Sequence, residues 1–179
     1  MTVRGDRREA ALERMADHLL AAGLSGASLR ALATAAGTSD RMLLYYFVDK
    51  DELISATLTR IAERMLPMLE TAGLDERPRP YEALLAEVAP LLRRPDVRPF
   101  MRLWLELAAQ AGRGQQPYLA VAGLIADGFL EWIRARLQAP PDVDHRGLAA
   151  RLLATVDGVV LLEAVGRSEA ADRALASSA

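Results

Sequence analysis

From Arg7 to Ala22 the apolar side chains Leu12, Met15, Ala16, Leu19 and Leu20 recur at three- and four-residue intervals, and Gly23 follows them. That spacing lines one side of an α-helix, and a glycine just past the last turn is a common helix stop. Related stripes return along most of the 179 residues, separated by glycines and prolines. Val, Ile and Thr nowhere gather into the alternating runs of a half-buried strand, so the pattern restricts the chain to an all-α fold. The apolar share of 51% is rich in Ala and Leu, both strong helix formers, and is ample for a packed core.

The punctuation sets the order of elements. Ser28 stands at an N-cap position ahead of Leu29, Leu32, Ala33 and Ala36, and Gly37 closes this short second helix. Ser39 caps a third helix reaching about Tyr46, with Asp40 in a first turn that favours an anion. Asp49-Lys50-Asp51-Glu52 reads as a capping box opening a long fourth helix along Leu53, Ile54, Thr57, Leu58, Ile61, Ala62, Met65 and Leu69. Pro67 is expected to bend or break its last turns. Residues 73–80 form a linker and Pro80 suits the start of a fifth helix, beyond which Pro90, Pro95 and Pro99 cut the chain into short pieces. Helical pattern resumes over 100–111, then over 117–138 and 146–165, and the Ala/Ser-rich tail from Ser168 is expected to fray. About nine helices result.

Several function classes are excluded or disfavoured. The chain has no cysteine, hence no disulfide, thiolate metal site or cysteine nucleophile. Its histidines are His18 and His145; there is no Gly-rich phosphate loop and no Glu-x-x-His pair. Asp142-x-x-His145, in a proline-containing connector, is a poor metal pair, and no enzyme, metal or cofactor is expected. The longest stretch without Asp, Glu, Lys or Arg, residues 114–126, is shorter than a membrane span requires. Charges scattered through the first twenty residues rule out the apolar centre of a signal peptide, so a cytoplasmic location is expected. The net charge is −2, and residues 1–50 carry +1 of it, so placement of charge, not its total, must identify a partner.

Ala33, Gly37 four residues on and Leu43 six beyond that have the spacing of a helix-turn-helix. A small residue lets two crossing helices approach, the glycine can take the positive φ of the turn, and the leucine faces inward. The run from Ser28 to Leu58, "SLRALATAAGTSDRMLLYYFVDKDELISATL", resembles the signature of the TetR family of bacterial transcriptional regulators. In that family the helix-turn-helix ends in an aromatic cluster, then Phe, two spacers, Lys, acidic residues and Leu. Phe47, Val48, Asp49, Lys50, Asp51, Glu52 and Leu53 match that order.

The resemblance implies an N-terminal three-helix DNA-binding domain, residues 1–50. A long fourth helix would join it to a helical ligand-binding and dimerisation domain, residues 51–179. It places Ser28, Arg30 and Lys50 beside the phosphate backbone, and Ser39, Asp40, Arg41 and Met42 at the start of the recognition helix. Arg41 is the candidate base reader, since a guanidinium can bind guanine O6 and N7 bidentately. Family members usually carry Tyr seven residues after the turn glycine; here that position is Leu44, and Tyr45 and Tyr46 follow it. Tyr46 is the better phosphate contact of the two.

The last two long helices are apolar over most of their circumference, which fits burial against their own domain and against a second copy. Gly123, Ala126, Gly128, Ala154 and Gly158 would permit close approach. Met65, Met68, Leu69, Leu85, Val88, Met101, Trp104, Leu105 and Tyr118 are candidates for an apolar effector pocket. The expected protein is thus a ligand-responsive regulator, a homodimeric repressor of a (pseudo)palindromic double-stranded DNA operator, released by a small apolar effector. The competing reading is a helical dimer with a degenerate helix-turn-helix that carries a lipid or binds a protein. Lys50, Ser28, Ser39 and Arg41 on the side expected to meet phosphate argue against it.

Overall fold

The computed structural model describes residues 3–140 and 142–176. Nine α-helices run through them: α1 (Val3–Ala22), α2 (Leu29–Ala36), α3 (Asp40–Tyr46), α4 (Lys50–Thr71), α5 (Tyr81–Leu91), α6 (Arg98–Ala111), α7 (Tyr118–Arg136), α8 (His145–Ala164) and α9 (Ser168–Ala176). A 3-10 turn, Leu24–Gly26, separates α1 from α2. Among the described residues there is no strand, only an isolated parallel bridge between Arg79 and Leu137. No described helix is long and apolar enough to cross a membrane. The all-α reading and the order of elements therefore hold.

One expectation is narrowed and another overturned. Pro67 does not break α4, which continues to Thr71. A proline removes one amide donor and crowds the carbonyl four residues back, but Pro67 is exposed and the next turn is supported by Thr71 Oγ1, which donates to the Pro67 carbonyl at 2.8 Å. The tail from Ser168 does not fray up to Ala176: it forms α9, with Ala171 fully buried. Ser168 Oγ donates to Glu163 at 2.7 Å and Arg93 donates to Asp172 at 2.6 Å, so polar contacts fasten a segment whose composition alone suggested a loose end. The remainder of that tail, residues 177–179, lies outside the described residues.

The chain divides into two compact units. The first runs up to Met65 and includes Arg102–Gly123; the second comprises Leu66–Met101 and the chain from Leu124 onward. In the first, Met15, Leu19, Leu32, Leu43, Phe47, Leu53, Ile54 and Leu58 form the most deeply buried set, where α1, α2 and α3 close on the start of α4. In the second, α5 packs on α8 and α9, around Leu84, Leu152 and Val159.

The second unit also buries two arginines, Arg79 and Arg136. Taking a guanidinium out of water costs several kcal/mol unless its donors are satisfied, and here they are. Arg79 donates to the carbonyls of Gly73, Asp75 and Arg77 at 2.9, 3.0 and 2.6 Å and pairs with Glu87 at 2.7 Å. Arg136 donates to the Leu74 carbonyl at 3.1 Å and lies 4.2 Å over the Trp132 ring. The linker 73–80 is thus stitched by side-chain donors that satisfy its backbone acceptors, and Arg79 N donates to the Arg136 carbonyl at 2.8 Å.

Candidate nucleic-acid interface

The turn between α2 and α3 is built as the spacing requires. Gly37 sits at φ 68°, ψ 36°, a left-handed conformation that side-chain-bearing residues adopt at a cost. The next amide, Thr38 N, donates to the Ala33 carbonyl at 2.9 Å, closing the helix end as a Schellman motif. Ala33 is buried, which allows the close crossing. Arg14 of α1 adds a bond from Nη1 to the Ala36 carbonyl at 3.1 Å, tying the turn to the first helix.

Helix α3 then splits by its period. Leu43 and Phe47, four residues apart, are fully buried in the first unit, while Asp40, Arg41, Met42, Leu44 and Tyr45 are exposed and Tyr46 is half-buried. Ser39 caps this helix by accepting from Met42 N at 3.3 Å, leaving Asp40 in the first turn with its carboxylate in water. Ser28 caps α2 in the same way, accepting from Ala31 N at 3.2 Å. A serine oxygen used as an acceptor still has its own O–H to donate, so both caps retain a donor for a phosphate oxygen. Arg30 is exposed in the first turn of α2. Lys50 opens α4 and is exposed; the box behind it forms, with Glu52 N donating to Asp49 Oδ1 at 2.8 Å. The Glu52 carboxylate reaches one residue further than a standard box, to Val48 N. The rings of Tyr45 and Tyr46 meet edge to face at 5.7 Å, so Leu44 stands in water beside a tyrosine pair.

What sequence reasoning missed is the clamp that ties α1 to the part of α4 within the first unit. Arg60 reaches Glu9 and Glu13, and Arg64 donates to Glu13, to the Glu13 carbonyl at 2.8 Å and to Asp17 at 2.7 Å. The bonds from Arg64 and then Arg60 hold the Glu13 carboxyl below its ordinary range. Periodicity places these residues on polar faces but does not reveal which polar faces meet. A second tie comes from α6: Arg102 donates to the carbonyls of Leu20 and Ala21 at 2.8 and 2.9 Å, and Leu24 N donates to Glu106 at 2.6 Å.

The candidate effector residues fall in both units. Met65, Trp104, Leu105 and Tyr118 belong to the first, Met68, Leu69, Leu85, Val88 and Met101 to the second. Met65, Leu69, Leu85 and Val88 are buried and the others half-buried. Burial, with the charge of Asp51, raises the Tyr118 phenol above its ordinary value. Leu85 lines a surface groove of about 360 Å³ with Glu82, Ala86, Ala89, Pro90, Arg93 and Leu175. On α7 and α8, Gly123, Gly128 and Ala154 are exposed and Ala126 and Gly158 half-buried, and a side chain added at any of the three glycines would meet nothing within 4 Å.

A tight glycine turn between two capped helices, the second presenting its first residues to solvent from a buried anchor, defines a helix-turn-helix DNA-binding protein. Residues 10–57 match the family described as bacterial regulatory proteins, tetR family. That match covers the helix-turn-helix and the start of α4, so this part of the chain is similar to the DNA-binding domain of TetR-family transcriptional regulators. It is similar over its whole length to solved structures. One is a transcriptional regulator from Rhodococcus sp. Rha1, with 26% identity, a TM-score of 0.71 and coverage of 94% of this chain and 91% of that one. Another is a TetR-family transcriptional regulator from Cytophaga hutchinsonii, with 20% identity, a TM-score of 0.74 and coverage of 99% and 93%. A third, from Saccharomonospora viridis and solved in complex with choline, has 20% identity, a TM-score of 0.65 and coverage of 97% and 93%. No curated protein matches the chain significantly.

Proposed function

We propose that this regulator is a ligand-responsive repressor that binds a (pseudo)palindromic operator as a homodimer in the cytoplasm and is released by a small apolar effector. Residues 1–50 are the reading domain and residues 51–179 the ligand-binding and dimerisation domain. The observation that carries the DNA-reading part is the split of α3, with Leu43 and Phe47 buried while Arg41, Met42 and Tyr45 stand in water. Arg41 reads a guanine, while Ser28, Arg30, Ser39, Tyr46 and Lys50 hold the backbone. Asp40 complements the dipole of α3 and is open to a cytosine amino group.

Dimerisation is supported by α7 and α8. Within the second unit they leave Leu124 and Leu161 exposed, with Val165 just beyond α8, among small residues such as Gly128 and Ala154. A two-fold pair would bring two reading domains to half-sites about 34–36 Å apart. The effector reading is supported by the adaptable methionines among the nine candidates, Met65 in the first unit and Met68 and Met101 in the second. The choline bound in one structural relative supports a small organic effector in general, without bearing on its polarity. Effector binding would shift the population between a spacing that fits the operator and one that does not.

Footprinting against the DNA flanking the protein's own gene tests the reading, because it reports site, half-site spacing and dimer together. On the operator so defined, Arg41→Ala should lose about 1–3 kcal/mol of discrimination at one base pair, while Lys50→Ala should weaken all sequences evenly. Absence of any binding to duplex DNA at low salt would overturn the proposal.

A further inference from the structure

We propose that the first turns of α1 extend the DNA-binding surface and that Arg7 contacts a backbone phosphate beyond those reached by Lys50. Helix α1 divides its sides by charge. At about 100° per residue, Arg7, Ala11, Arg14 and His18 fall on one strip of the helix. Arg14 on that strip donates to the Ala36 carbonyl at 3.1 Å, and His18 lies 3.3 Å from the Gly26 carbonyl. The strip therefore follows the helix-turn-helix, with Arg7 two turns nearer the amino end than Arg14.

Arg8 shows where that end lies. Its guanidinium sits 4.5 Å over the Phe47 ring and 3.5 Å from Glu52, bracketing the junction of α3 and α4 that carries Tyr46 and Lys50. It also lies 3.5 Å from Glu9, so its charge is already shared between two carboxylates. The carboxylates of α1 stand elsewhere. Asp6, Glu9, Glu13 and Asp17 are spaced on a different side, and the last three are engaged by Arg60 and Arg64 of α4. Glu9, Glu13 and Asp17 are held toward α4 in this way, while Arg7 is exposed and Asp6, also exposed, lies about 100° round the helix from it. A cation exposed next in sequence to an arginine that reaches the α3–α4 junction, on a helix three of whose four carboxylates are paired with α4, is suited to a DNA backbone and carries no base preference.

The test is a salt titration of binding to a random-sequence DNA duplex, read by fluorescence anisotropy, for the wild type, Arg7→Ala, Arg7→Lys and, as a control for net charge, Arg167→Ala. Arg7→Ala should bind several-fold more weakly and lower the slope of log K against log salt by about 0.9 per chain, the signature of one lost phosphate contact. Arg7→Lys should retain the slope, Arg167→Ala should match the wild type, and thermal unfolding of all four should coincide because the altered positions are exposed. A slope unchanged in Arg7→Ala overturns the proposal while leaving the DNA-reading assignment intact, and so does an equal fall in Arg167→Ala. A wild type that binds no duplex overturns both.

Discussion

Helices α3 and α8 both leave side chains in water, but they expose different chemistry. α3 presents Asp40, Arg41 and Tyr45 from a segment anchored by Leu43 and Phe47, and both of its neighbouring turns are pinned by caps. α8 exposes Arg146 and Arg151 in its first turns, but its second half presents Ala154, Leu161 and Ala164, with Val165 just beyond. Donors and charges held on a rigid support suit a polar, patterned partner whose contacts must be placed to a fraction of an ångström. Apolar and small residues at helical spacing gain only when another apolar surface covers them. The contrast teaches that exposure alone does not identify a partner; the chemistry left exposed does.

The strongest way to break this contrast is to put charge into the apolar face. Leu124→Asp with Leu161→Asp should convert the proposed homodimer to a monomer, because each carboxylate would be buried unpaired at a cost of about 3 kcal/mol or more. Because the dimer would carry four such carboxylates, association should fall by many orders of magnitude, leaving only monomer in sedimentation equilibrium. Thermal unfolding of the separated chain should still be cooperative, since Leu124 and Leu161 are exposed in the protomer. A variant that stays dimeric would place the interface on some other surface.

The polar side can be weakened from within. Arg64→Ala removes donors to Glu13 and Asp17 and should cost the first unit about 2 kcal/mol in denaturant unfolding. By contrast, Arg94→Ala, which loses an exposed pair with Asp96, should leave stability unchanged. The same network fixes a pH dependence. Glu13 titrates below its ordinary value of 4.5 in the folded chain, so its contribution is present above that pH and lost as the pH falls through the lower folded value. Glu13→Gln should flatten the acid limb of a stability profile, and a limb of unchanged slope would assign the acid loss to other carboxylates.

Gly37→Ala should destabilise by about 1–2 kcal/mol, the cost of a left-handed non-glycine residue. The added carbon would also lie 3.0 Å from Arg14 Nη1, so the bond from Arg14 to the turn should loosen with it. Loss of duplex affinity greater than the loss of stability would show that the turn angle itself sets the reading geometry.

The fold was legible where local chemistry repeats. Gly37, Ser28, Ser39 and Asp49 act on backbone within four residues of themselves, so their types and spacing announced the helix-turn-helix and the start of α4. The family resemblance then supplied roles that spacing could not. What stayed hidden depends on partners distant in the chain. Arg79 reads as one more charge in a proline-flanked linker, yet it is buried because Gly73, Asp75 and Glu87 offer acceptors around it. Arg60 and Arg64 belong to a polar face whose partners are about fifty residues earlier. The Ala/Ser-rich tail misled because composition does not show that Ala171 meets a surface it fits.

The smallest expected effect concerns Tyr45 and Tyr46, which follow the leucine where the family usually has tyrosine. Their rings touch edge to face, but Tyr45 is mostly exposed and Tyr46 half-buried. A partly buried ring loses less freedom when its hydroxyl is fixed on a phosphate, so Tyr46 is the better placed donor. Tyr46→Phe removes only that hydroxyl and should weaken duplex binding by about 0.5–1.5 kcal/mol, under or near tenfold, evenly across sequences. Tyr45→Phe should fall within the error of the measurement. The double variant should equal Tyr46→Phe alone if one hydroxyl makes the contact. A double loss that exceeds the sum would mean that either hydroxyl can make the contact when the other is gone, with the pair as a unit taking the place of the tyrosine that Leu44 displaced.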